Sequence, residues 1–361
     1  MECRNLAPRS AHRKEAKYIV PALKLPLHLP ANPFRSKHPI VGLDLGAFRW
    51  RLLWLSETGE LHRRWLPAPP PNTSVQSDAL RRLLQEEKPP ARRAVASLGG
   101  ERLSLARLDV PGRVGGRDLR AALRFQLAQH FPLAATDAVW DHLPLPAPPG
   151  GQSPTTPLLV AVAPKAAALA LADLCRAAGT RLLALDADPF AFQRGLAHLG
   201  LPTAGLWGLL DLGERGSRLV LYDDELPLLH RNLSFAGNQI RRIMMETFSL
   251  DETAADDRLL QGGVAVTRLL ATLVEGLGAE CEETINFYLA GQRGRTLGVL
   301  HLAGGGANLP GLASRLAEEL QGTLDYRLDP GFTVSPVFSG QADALIGPEW
   351  LLALGLGLRT A

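Results

Sequence analysis

Two short segments of this 361-residue chain set a glycine two places after an aspartate, and they recur at a fixed offset. Asp44-Leu45-Gly46 and Asp211-Leu212-Gly213 stand 167 residues apart. Each closes an apolar run, each is followed seven residues after its aspartate by an arginine (Arg51, Arg218), and each then meets a turn-forming cluster and a further apolar run. The chemistry open to such a tip is phosphate and metal binding. Glycine lets backbone N–H groups approach a phosphate while the aspartate holds a hydrated divalent ion beside it. One Asp-x-Gly alone is ordinarily a solvent turn; two in matching contexts point to a pair of loops that clamp one polyphosphate from both sides. A third candidate is Gly304-Gly305-Gly306, between an apolar run and a helical pattern. Bare backbone at a helix start suits a flat or anionic ligand, although glycine-rich strand-to-helix turns are also common without one.

The elements that must position these residues follow from periodicity. Residues 40–66 and 206–233 each read as three consecutive strands joined by tight turns, an internal duplication. Between them, 93–98, 102–110, 139–145, 158–163 and 181–186 read as strands, and 116–130 and 165–178 as helices, with a Pro/Gly-rich loop at 146–157. After the second copy, 238–248 and 264–290 read as helices separated by an acidic stretch. A strand at 297–302, a helix at 311–320 and a last apolar helix at 348–358 follow.

Composition narrows the function. At 46% hydrophobic and 21% charged, the chain has the makings of about two domains with sizeable cores. Three scattered cysteines without a CxxC argue against a structural zinc site and for a reducing compartment, with the cytoplasm as the expected location. The net charge of +3 divides into +6 over residues 1–38 and −3 over the remainder. The basic, proline-broken leader is expected to be disordered, and the slightly acidic globular part argues against nucleic-acid binding. Two stretches, 142–164 and 296–314, lack Lys, Arg, Asp and Glu over a span-like length, but seven prolines in the first and the triple glycine in the second exclude a membrane helix.

The paired hairpins, the glycine loop, and segments such as LRAALRFQLAQHFPL, TRLLALDADPFA, FAGNQ and NFYLAG before LAGGGANLPGL occur in an order, over about residues 33–358, that resembles the PilM family of type IV pilus assembly proteins. That family lies within the actin/Hsp70/sugar-kinase ATPase superfamily. The resemblance implies a duplicated actin-like (RNase H-like) two-lobed α/β fold with a small α/β insert domain. Its expected parts are a disordered leader (1–32), a first lobe (33–66 and 165–200), an insert (67–164) and a second lobe (201–361).

It further implies ATP and Mg²⁺ as cofactors. Asp44 and Asp211 would hold the ion through water, and Asp44, Gly46, Arg51, Asp211, Gly213, Ser217, Gly304, Gly305 and Gly306 would bind the nucleotide. Asp186 and Asp188 are the candidates to position an attacking water, although Asp188, before Pro189, equally suits a helix start. Departures from the family pattern weaken this site. Ala47 and Phe48 replace small hydroxyl residues, Arg51 stands at the usual lysine, Glu214 puts a negative charge beside a phosphate position, and Glu282 and Glu283 stand where relatives show a basic and polar mix near the nucleoside. The expected function is therefore a scaffold, held at the inner membrane by partners, that binds the N-terminal cytoplasmic tail of a PilN-like membrane protein, with the pilus assembly and retraction ATPases as further expected partners. The alternative is an active Mg-dependent ATPase driving or gating assembly. A small-molecule kinase would need a substrate motif that the chain lacks.

Overall fold

The computed structural model describes residues 40–56, 58–89, 92–111, 116–131, 136–146, 154–292, 294–338 and 346–359. The expected leader 1–32 and most of the loop 146–157 lie outside them. The chain runs β1 (Val41–Leu45), β2 (Arg49–Leu55), β3 (Leu61–Pro67), α1 (Thr73–Glu87) and β4 (Arg93–Leu98). It continues through β5 (Ser104–Pro111), α2 (Gly116–His130), β6 (Ala138–Pro144), β7 (Thr155–Pro164), α3 (Lys165–Ala177), β8 (Arg181–Ala187) and α4 (Asp188–His198). The last part comprises β9 (Leu206–Leu212), β10 (Ser217–Asp223), β11 (Leu226–Leu233), α5 (Gly237–Phe248), α6 (Glu252–Gln261), α7 (Val264–Ala290), β12 (Leu297–Ala303), α8 (Leu312–Leu324), β13 (Leu328–Pro336) and α9 (Leu351–Gly357).

The duplication is complete at the level of the sheet. The first sheet has the order β3-β2-β1-β4-β8 and the second the order β11-β10-β9-β12-β13. In both, the first three strands pair antiparallel and the last two add in parallel. Alternation along β2 shows why each sheet has two different faces. Trp50, Leu52 and Trp54 are buried on the outer side with α1 and α3, whereas Arg49 and Arg51 turn to the inner side.

Between the sheets lies a core that belongs to both. Ile40, Leu53 and Val95 of the first lobe join Trp207, Leu209 and Val220 of the second through Phe192 and Leu196 of α4 and Leu351, Leu354 and Leu356 of α9. The closing helix α9, expected within the second lobe, packs against α4 and against β1 and β2 of the first sheet. Only glycine permits that approach: a Cβ on Gly42 would lie 2.2 Å from the Ala353 carbonyl oxygen.

A third sheet, β5-β7-β6, backed by α2 through Leu123 and Leu127, forms the insert. The range 67–164 expected for it is too wide, because β4 is the middle partner of β1 and β8 in the first sheet. The acidic stretch expected as a connector is instead α6. Asp251 caps it by accepting from the Ala254 amide at 2.8 Å. Among the described residues no single helix is long and apolar enough to cross a membrane. Taken together α6 and α7 are, but they meet at an 88° bend, and α7 buries Leu270, Val274, Leu277 and Ile285 in the second lobe's core.

Candidate functional site: the cleft between the lobes

The hairpin register fixes the chemistry of the cleft. Arg51 lies directly opposite Asp44 across β1 and β2, and Arg218 directly opposite Asp211 across β9 and β10. Opposed residues of an antiparallel pair share a face, so in each copy the guanidinium meets its own aspartate. Arg51 Nη1 donates to Asp44 Oδ2 at 3.0 Å, and Arg218 Nε to Asp211 Oδ2 at 3.0 Å. Arg218 goes further. Its Nη1 donates to Asp188 and its Nη2 to Asp211, so one guanidinium joins the first turn of α4 to the second hairpin. Gly99 makes the room, since a Cβ there would come within 2.4 Å of Arg218 Nη1.

The two aspartates come close enough for their charges to act on one another. Burial, reinforced by the Asp44 carboxylate, pushes Asp211 up to about 7, while Arg51 pulls it back. Burial lowers Arg218 to about 10 against the opposing pull of Asp44, leaving it a cation at neutral pH. The glycine loop belongs to the same site. Gly304 has φ 80°, and a Cβ on it would lie 2.6 Å from Asp211 Oδ1, so the loop rests on the second hairpin.

Three expected site residues are placed otherwise. The Ser217 hydroxyl donates to the Phe235 carbonyl at 2.8 Å, on the face away from Arg218, and is spent on the fold. Asp186 is buried between Arg194 and Arg359, the latter at 2.8 Å, which removes it from water positioning. Asp188 is the first residue of α4, as Pro189 suggested, with Oδ2 on Arg218 and Oδ1 buried without a partner.

The first turn of α5 is also committed to the protein itself. The Gly237 and Asn238 amides donate to the Gly213 and Glu214 carbonyls, each at 2.9 Å. Glu214 is held by Arg241 of α5, whose Nη2 donates at 3.1 Å and whose Nε reaches Asp256 at 2.6 Å. The Arg241 guanidinium sits 4.3 Å from the Phe48 ring centroid, across the cleft in the first hairpin loop. Sequence reasoning missed Arg241, because its partners are distant in the chain; Arg218 was marked by its place in the repeat.

Each candidate aspartate already pairs with an arginine, so a Mg-nucleotide would have to displace those pairs.

Comparisons with known proteins agree with this architecture. The family model described as type IV pilus assembly protein PilM matches residues 71–361. The structure is similar to one titled "PilM-PilN type IV pilus biogenesis complex", with a TM-score of 0.74 and 25% identity over 90% of this chain and 99% of that one. It also shares its fold with the ethanolamine utilization protein EutJ from Carboxydothermus hydrogenoformans, with a TM-score of 0.54 and 14% identity over 91% of each chain. No curated protein matches by sequence. Two lobes built on one duplicated sheet, facing each other through paired Asp-x-Gly hairpins, and a family match over residues 71–361 together establish that the chain belongs to the PilM family of type IV pilus assembly proteins and has the actin-like fold.

Proposed function

We propose that this chain is a scaffold of type IV pilus assembly that binds the N-terminal cytoplasmic tail of a PilN-like inner-membrane protein. The observation that carries the reading is the likeness, over 90% of this chain, to a PilM-PilN complex. The insert is the part best suited to receive an extended tail. Its strand β6 pairs only with β7 among the described residues, so one edge is open, and Val139 and Leu143 are exposed on it. An open edge takes an added strand through main-chain hydrogen bonds while apolar side chains provide selectivity. Arg124, exposed on α2, is available for polar anchoring. Arg92 and Arg93 sit at the start of β4, the far end from the insert. With Val139 and Leu143 both changed to Asp, affinity for a peptide of the partner's tail should fall about tenfold or more. Undiminished binding by a folded variant would remove β6 from the interface.

ATP turnover is weak or absent on the same reading. A tight phosphate site needs several free donors, each charge-assisted bond contributing roughly 1.5–3 kcal/mol. Here the Ser217 hydroxyl and the Gly237 and Asn238 amides are spent within the protein. Arg51 and Arg218 are likewise spent on aspartates. A ligand that binds only the folded state raises its stability by RT ln(1 + [L]/Kd). Mg·ATP at about 1 mM should therefore leave the melting temperature nearly unchanged. Brisk Mg-dependent hydrolysis abolished by Asp44→Ala would establish the ATPase alternative instead.

A further inference from the structure

Two of the residues that depart from the family's phosphate loops meet through a third. Phe48 stands in the first hairpin loop, Glu214 in the second, and Arg241 on α5 contacts both. Glu214 is not a stray charge beside an anion site, because Arg241 takes it in a two-point pair and is held on its other edge by Asp256 at 2.6 Å. A guanidinium fixed by two carboxylates keeps its flat face free for an aromatic ring, and Phe48 supplies the ring from the opposite lobe. Arg49 lies 5.2 Å from the Phe48 centroid and 4.5 Å from the Trp65 centroid. A column Trp65, Arg49, Phe48, Arg241 therefore runs from the edge of the first sheet to the second lobe. Deeper in the cleft, Arg218 ties Asp188 to Asp211.

We propose that Arg241 seated on Phe48 is a built-in latch that holds the two lobes closed without any nucleotide. The latch deepens the reading of a weak ATP site but does not depend on it. Closure by the protein's own cation would keep the two-lobed surface in one shape for a partner, whatever the nucleotide supply.

The test is an inter-lobe distance in the full chain. Spin labels at Glu86 on α1 and Glu318 on α8, both exposed, report on one lobe each. Cys3 is changed to Ser, and Cys175 and Cys281 are buried thiols. The nucleotide-free protein should give a single short distance that Mg·ATP does not shift. Arg241→Met should lengthen and broaden it, and so should Phe48→Ser, which leaves every ion pair of Arg241 in place and reports even if the charge change unfolds the protein. A long or broad distance in the nucleotide-free wild type overturns the latch. So does a folded Phe48→Ser protein with the wild-type distance. A wild type that is closed without nucleotide yet binds Mg·ATP tightly leaves the latch standing and overturns the weak-site reading; one that is open and binds none does the reverse.

Discussion

At the scale of single residues the cleft is governed by buried charge, and its glycines and histidines report on that charge. Breaking a buried ion pair costs far more than the pair contributes, because it leaves an uncompensated charge. Gly99→Ala places a methyl 1.6 Å from Asp188 Oδ2, so it must push that carboxylate off Arg218. A loss of about 2–4 kcal/mol in urea denaturation is expected. His230 on β11 gives a pH signature. Burial, with a smaller push from Arg218, lowers its pKa to about 4 from 6.5. The unfolded chain then takes up a proton that the folded one refuses, so this contribution is whole above pH 6.5 and is lost as pH falls from there through about 4, on the order of 3 kcal/mol. His230→Gln should flatten the slope of stability against pH in that window. The aspartates and glycines of this site were legible in the sequence because a repeat marks them. Arg51 and Arg218 carry the same mark; Arg241 does not, because it is 27 residues from Glu214 and nothing in its neighbourhood announces which carboxylate it meets.

At the scale of elements, the three-strand hairpin units were legible because turn residues punctuate alternating runs, and each formed as expected. The parallel strands that complete each sheet were harder. β4 read as a strand but appeared to belong to the insert, since strand order is decided by the crossover helix and not by the strand's own residues. Helix α6 was hidden by its acids. Asp251, Glu252, Asp256 and Asp257 look like a solvated linker, yet Asp251 is an N-cap, and Ala255 and Leu259 supply a buried face. Asp251→Ala should therefore cost about 1 kcal/mol in thermal denaturation. A larger penalty belongs to α9. A methyl on Gly355 would stand 1.7 Å from the Ala191 carbonyl oxygen, so Gly355→Ala must lift α9 from α4. Circular dichroism should show a melting temperature lowered by many degrees, and a wild-type melt would mean that this packing relaxes without cost.

At the scale of the molecule, the two lobes are joined through a core that belongs to both, on which any opening of the cleft must turn. Trp207, Tyr222 and Val220 of one sheet share a core with Leu53 and Val95 of the other, and the Tyr222 hydroxyl donates to the Pro189 carbonyl of α4 at 2.8 Å. The insert also lies against the second lobe, through β5 and β11. The sequence showed two lobes because the repeat is visible, but a shared core has no local signature: the same leucines would serve two separate cores. The placement of α9 has a consequence for how the protein is made. A ribosome emits β1 to β8 first, yet the inner face of that sheet is covered by a helix that emerges only after the entire second lobe. The half of the molecule synthesised first is thus the half completed last, and its apolar inner face must be shielded in the interval. A fragment spanning residues 40–200 is expected to aggregate on expression, as read by light scattering. Supplied in trans, a peptide of residues 346–359 should restore its solubility, which makes the nascent first lobe a natural client of chaperones until the chain closes upon itself.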